Sequence, residues 1–465
     1  MTTLEATAPA PRMGFGLGSR LSFMMFLQYA IWGAWLPLLY PFLKNYRGFE
    51  DGQIGWLFMA GGFGAILGPF IAGQVADRLF NTEKFLGLSH IAGAVVVWFL
   101  GDVTNFWIFL GLSLLYSVIY APTIALTNSL AFHHMPDRDR DFGWVRLWGT
   151  VGWIVVGIGI GQWLLHMHTP ADGNIAEATL MQSQGMQDAF RLSAILGVLM
   201  GLYCFTLPKT PPQKGEEEFA LLETTREIKR NPLLILFLLA IPVSMIHQFY
   251  FVYTSQFIGE YQNNFKGVEE SINSIFGVGG GGLMTIGQMS EIVVLFLIPF
   301  IAGKWSRKSL LAIGLIAYTL RMFLFSQIAW LNTTLGIPDV VILITGVTLH
   351  GLCFGCFIFV AFMVVDEETT KDVKATAQNL FNLVIVGVGI VLGSYIANNV
   401  MGPLTMVEVM KDGQPVMENG AAVMERDWSL LFSVPMYAAL ACLAILLAFY
   451  PSRKTLAQRG MSPAG

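Results

Sequence analysis

Charge is what this chain lacks. Only 12% of its 465 residues are Asp, Glu, Lys or Arg, against about 25% in a soluble globular domain. A deficit spread over the whole length excludes a soluble enzyme and indicates a protein that crosses a membrane many times. The formal net charge of -4 offers no basic surface, so no nucleic-acid partner is expected. Cysteine is also scarce. Cys204, Cys353, Cys356 and Cys442 all fall in apolar stretches, and none is placed like half of an extracellular disulfide. Cys353 and Cys356 spell CxxC without a redox fold around them, so helix packing accounts for them. There is no GxxxxGK[ST] loop, which argues against an ATP-driven pump. No HExxH, metal-ligand spacing or nucleophile elbow is present, so neither an enzyme nor a bound metal or cofactor is expected. Gly277, Gly279 and Gly282 match GxGxxG, but no strand precedes them, and the segment reads as a flexible entry to a helix. His133 and His134, beside Asp137 and Asp139, read as a solvated loop.

What is present is hydrophobic: 54% of the chain. A helix needs about 20 apolar residues to cross the hydrocarbon core. Twelve such runs lie at about 21–43, 53–76, 84–102, 106–132, 144–165, 190–208, 232–258, 280–302, 309–330, 338–364, 375–398 and 428–450. The first reads as a retained span rather than a signal peptide. The polar segment PKTPPQKGEEEFALLETTREIKRNP divides them six and six. It gives an N-terminal bundle over 1–208, a linker over 209–231 and a C-terminal bundle with a short tail over 232–465. The gaps at about 166–189 and 399–427 suit surface loops. Lys and Arg concentrate in segments on the side of the N-terminus. The opposite segments hold Lys44, Arg47, Lys266, Lys411 and Arg426. That bias predicts both termini in the cytoplasm. The expected fold is an all-α membrane protein of 12 transmembrane helices in two pseudo-symmetric six-helix bundles.

Within these runs a few polar residues stand out. A charge near the bilayer centre costs about 2.5–3.5 kcal/mol on insertion scales, so it is seldom there without a use. Arg146, in GWVRLWGTVGW, either snorkels to the interface or faces a solute; Thr150 and Trp153, at i+4 and i+7, share its face. Glu291, in GQMSEIVVLFLIPF, has Gln288 at i−3. Burial disfavours an ionised carboxylate, so this residue suits proton binding. It also suits a hydrogen bond to a solute hydroxyl, or pairing with Arg146. His350, with Phe354 at i+4, reads either as packing or as function, and imidazole ordinarily titrates near 6.5. His247, Gln248, Tyr250 and Phe251 form a polar and aromatic cluster, and Gln28 lies at i−4 to Trp32. Arg321 and His90 show no polar partner on their own helix faces and read as helix–helix contacts.

Six spans plus six around a charged central loop is similar to the layout of the major facilitator superfamily. Gly73-Gln-Val-Ala-Asp77-Arg78 resembles its GxxxD(R/K) cytoplasmic signature, with a degenerate copy at Gly303-Lys-Trp-Ser-Arg307-Lys308. FLQYAIWGAWLPLL, APTIALTNSL, VRLWGTVGW, GQMSEIVVLFLIPF and ATAQNLF further resemble the bacterial nucleoside:proton symporter family, over nearly the whole chain. The resemblance implies a nucleoside site between the halves, lined by Arg146, Thr150, Trp153, Gln248, Gln288 and Glu291. It aligns His350 and Phe354 with an aromatic pair. Here His350 replaces a Tyr of that pair, and Phe251 stands where an Asn is found.

The resulting expectation is an importer that carries a nucleoside with a proton by alternating access. Trp153 and Phe354 would stack on the base. Gln28, Gln248, Phe251 and His350 would complete the site, and Glu291 and His350 are the candidates for proton coupling. The energy source is the proton gradient, with no bound cofactor. The partners are the solute, the proton and the lipid of a bacterial inner membrane, and the protein is expected to be monomeric. A carrier of another polar solute, such as a sugar or nucleobase, is the alternative. A receptor or membrane enzyme is disfavoured, since neither an appended domain nor a catalytic constellation is present.

Overall fold

The computed structural model describes residues 12–71, 81–170, 175–211, 226–261, 266–278, 282–302, 304–370, 374–411, 413–418 and 421–451. Inside a bilayer no water can satisfy the backbone, so each apolar run closes its own hydrogen bonds as a helix. Helices accordingly occupy all twelve runs: α1 (Phe15–Tyr46), α2 (Asp51–Ile71), α3 (Thr82–Leu100), α4 (Phe106–His134), α5 (Arg138–Met167), α6 (Gln187–Cys204), α7 (Leu233–Tyr261), α8 (Gly282–Ala302), α9 (Arg307–Ser326), α10 (Asp339–Glu368), α11 (Thr376–Leu404) and α12 (Trp428–Phe449). Among the described residues nine of these are long and apolar enough to cross a membrane by length and composition.

Packing repeats between the halves. In the first, α1 packs on α5 and α6, α2 on α4, and α3 on α4 and α6. In the second, α7 packs on α11 and α12, α8 on α10, and α9 on α10 and α12. The halves meet through two matching pairs, α2 with α11 and α5 with α8. Small residues permit these approaches. A side chain at Gly62 of α2 would collide with Val391 and with the Gly387 backbone of α11. Gly277, at φ +79°, lies against the Gly161 backbone of α5.

The halves are tied together at the end away from residues 12 and 451. There Asp51 accepts from Lys44 of its own half at 2.9 Å and from Arg426 of the other half at 2.5 Å. Asn399 donates to the Gly52 carbonyl at 3.3 Å. Gln162 donates to the carbonyls of Asn273 and Ser274 at 3.2 and 3.0 Å. Two polar segments expected as loops, and one for which no element was expected, carry regular structure. Ile175–Gly185 and Lys266–Phe276 are short helices. Residues 406–426 form nested hairpins, Met406–Glu408 with Met424–Arg426, Met410–Lys411 with Gln414–Pro415, and Met417–Glu418 with Ala421–Ala422. Alternating Val and Met positions supply the strands, and Gly413, at φ 78°, makes a tight turn. Arg426 is thereby held at the end of a strand instead of on a free loop. Gly73, Asp77 and Arg78 lie outside the described residues.

Candidate functional site

Glu291 sits on α8 where α10 comes closest. Gly351 makes that contact possible: a Cβ there would overlap the Ser290 backbone. The Gly351 amide instead donates to Ser290 Oγ at 3.0 Å. This places the preceding residue, His350, with Nε2 3.5 Å from Glu291 Oε2. Just beyond, α10 opens into wide π-type turns over Cys353–Phe359, a distortion found preferentially at functional sites. The imidazole of His350 stacks with His247 and with Tyr250, ring centroids 5.3 and 5.0 Å away. Phe251 meets it edge-on at 6.0 Å, and Phe354 flanks His247 at 6.4 Å. The Tyr318 hydroxyl and His247 Nδ1 are 2.7 Å apart.

The opposite wall comes from α5. Arg146 does not pair with Glu291 among the described residues. Its guanidinium lies 3.9 Å above the ring of Tyr29 on α1, within coulombic range of Glu291 across the interface. Two turns on, Trp153 packs against Gly33, where α1 and α5 touch. Trp153 and Gln288 line one narrow cleft, together with Gly33, Pro37, Ile154 and Thr285. Residues of both halves therefore share this cleft, with Gln288 facing α5 and Glu291, one turn on, facing His350 of α10. Thr150 is partly buried on the intervening turn of α5.

Two amides have other partners. Gln248 donates to Ser394 Oγ on α11 at 3.0 Å. Gln28 is 1% exposed; it donates to Thr123 Oγ1 at 2.9 Å, and its Oε1 lies 2.9 Å from His90 Nε2. Gln28 thus braces α1 against α3 and α4, and it is not among the residues lining the cleft of Trp153 and Gln288. The two intramembrane residues that showed no partner on their own helix faces have partners across helices: His90 has Gln28, and Arg321 Nη1 donates to His350 Nδ1 at 3.2 Å. Spacing along one helix carries no information about such contacts.

Residues 15–455 match the sequence model described as Nucleoside H+ symporter. The chain belongs to that family. It is a membrane transporter of the symport class, not an enzyme. As a member of the nucleoside H+ symporter family it is similar to YegT of Escherichia coli (strain K12), with 31% identity covering 92% of this chain and 93% of the relative. It is similar to the xanthosine permease of the same organism at 26% identity, covering 86% and 91% of the two chains. It is also similar to the nucleoside permease NupG of that organism at 24%, covering 92% and 95%. The crystal structure of the nucleoside transporter NupG superposes with a TM-score of 0.72 at 22% identity, over 93% of this chain and 99% of that one. That likeness shows that the chain shares the fold of that transporter.

Proposed function

We propose that this chain imports nucleosides together with protons across a bacterial inner membrane. In this reading all twelve helices cross the bilayer, both termini are cytoplasmic, and the protein acts as a monomer. The bundles at 1–208 and 232–465, joined by the 209–231 linker, rock about a site at the midplane. The observation that carries the reading is the cleft between the halves, where Trp153 of α5 meets Gln288 of α8 one turn from the partly buried Glu291. A ring and an amide in this cleft, with the Glu291 carboxyl and the Arg146 cation nearby, suit a flat solute that bears hydroxyls and ring nitrogens. The relatives named for nucleosides and xanthosine point to the same class.

Trp153 stacks on the base, with Phe354 at the far side. Arg146, Thr150 and Gln288 donate or accept at base and sugar. Glu291 is the group that takes up the proton. Gln248 would have to leave Ser394 to reach a solute, and His350 would have to leave Arg321. These two engagements, with Phe251 between them, favour keeping a second solute class in view: a sugar or nucleobase that needs fewer contacts from α7 and α10. Uptake of radiolabelled uridine and adenosine, with and without a protonophore, tests the reading. Protonophore-sensitive accumulation of a nucleoside is expected. Its absence for every nucleoside, with accumulation of a sugar or nucleobase instead, would transfer the site to the second class.

A further inference from the structure

Arg321 has no role in the reading above, yet it is fully buried and among the bulkiest side chains of the interior. Its guanidinium lies 4.1 Å above the ring of Tyr250 and 5.1 Å from that of Tyr318. Nη1 reaches His350, while Nε and Nη2 have no hydrogen-bond partner among the described residues. Nor does a carboxylate pair with it directly among them. A buried cation in that position needs compensation from further away. The next group along the line is Glu291, beyond the imidazole. A guanidinium only donates, so Nδ1 of His350 must accept, and the ring hydrogen sits on Nε2, facing the Glu291 carboxylate at 3.5 Å.

We infer that Arg321 is the fixed counter-charge of Glu291, acting through the neutral imidazole of His350, and that it enables Glu291 to release its proton. The inference rests on the symport reading and adds a residue to it. With Glu291 ionised, the two charges cancel around a neutral ring. When a proton from water adds to the carboxylate, the cluster is left with one uncompensated positive charge. That charge favours loss of the same proton when Glu291 next meets water. The other groups facing the cluster are Arg146 from α5, His247 and Tyr250 from α7, Tyr318 from α9 and Cys353 from α10. Arg146 is the competing cation, but it stands on the opposite half and moves relative to Glu291 whenever the halves rock. Arg321, His350 and Glu291 belong to one half and move together, so only Arg321 can serve as a counter-charge throughout the cycle.

The test uses the full-length protein in proteoliposomes with radiolabelled uridine, read in two ways: accumulation under an imposed proton gradient, and solute counterflow without one. Counterflow needs binding and rocking but no net proton release. Arg321→Gln is expected to reduce accumulation to simple equilibration while counterflow persists at the parent rate. Arg321→Lys, which keeps the charge, is expected to restore accumulation. Parent-level accumulation by Arg321→Gln overturns the inference. So does loss of both activities together, which marks a packing residue, and so does failure of the lysine to rescue. Absence of gradient-driven accumulation in the parent protein is a separate result: it removes the symport reading itself.

Discussion

The candidate site residues divide by what their surroundings do to them. Glu291 faces a ring N–H and lies near two cations, Arg146 and Arg321, without a hydrogen-bonded ion pair to either. Such a carboxyl can exchange a proton without breaking a strong salt bridge. Glu291→Gln, nearly isosteric and unable to ionise, is therefore expected to abolish uphill accumulation and to retain counterflow, checked in proteoliposomes with and without a proton gradient. A variant that still accumulates solute would move the proton to another group. Trp153 contributes differently. Stacking between aromatic rings contributes about 0.5–1.5 kcal/mol beyond area burial, and every 1.4 kcal/mol is about tenfold in affinity. Trp153→Ala is expected to raise the KM for a nucleoside by up to about tenfold and to leave proton dependence intact, measured from initial uptake rates. Both residues were legible in the sequence, because each sits at helical spacing from another polar or aromatic group: Gln288 with Glu291, and Thr150 with Trp153. Arg321 was visible as a costly intramembrane charge, but its partner lies on another helix, and His350 and Arg321 are 29 residues apart.

At the scale of elements, hydropathy and length located every helix that occupies an apolar run, because burial in hydrocarbon leaves the backbone no other choice. Polar segments are under no such constraint, and there the reading failed: the 406–426 hairpins and the short helix Ile175–Gly185 took the place of loops. The hairpins have a consequence for stability. They present Arg426 to Asp51, which precedes the second apolar run, and Arg426 also donates to Thr405 Oγ1 and to the Gly402 carbonyl at 3.0 Å each. Burial alone would raise the Asp51 carboxyl above its ordinary range. The hydrogen bond from Lys44 and the charge of Arg426 outweigh it and hold Asp51 below that range. A carboxyl with a depressed folded-state value stabilises the fold above its unfolded value, about 3.9, and loses that contribution as pH falls through the folded value. Asp51→Asn is thus expected to destabilise the detergent-solubilised protein by about 2 kcal/mol at neutral pH. The two proteins should converge in melting temperature once the pH is below the depressed value. A difference that persists unchanged into strong acid would show that the charge of Asp51 is not what stabilises this end.

For the whole molecule, the two halves use one packing scheme twice, and their interface follows it: α2 meets α11 as α8 meets α5. This correspondence is what a two-fold relation between bundles requires, and in the proposed rocking both pairs, tied at the same end, would separate there together. In the sequence the polar segment at 209–231 suggests two halves, but it does not say which helices face each other. That depends on small residues at α2, α5 and α11, whose role shows only when a neighbour is in place. The contacts at the end away from residues 12 and 451 must break if solute is to enter there. Gln162 of α5 and Ser274, in the short helix before α8, lie on opposite sides of that seam, and the Gln162 amide reaches the Ser274 carbonyl. Native thiols would interfere little with a cross-link, because Cys204, Cys353, Cys356 and Cys442 are all buried. With Gln162→Cys and Ser274→Cys combined, a short reducible bifunctional thiol reagent is expected to stop both uptake and counterflow, and a reductant is expected to restore them. Each single-cysteine variant treated in the same way should remain active. If the cross-linked protein is verified by electrophoretic mobility after cleavage of the linker region and still transports at the parent rate, then this end does not open during the cycle. The solute would then need a route that leaves the α5–α8 seam closed, and rocking of the two bundles about the Trp153–Gln288 cleft would no longer describe the protein.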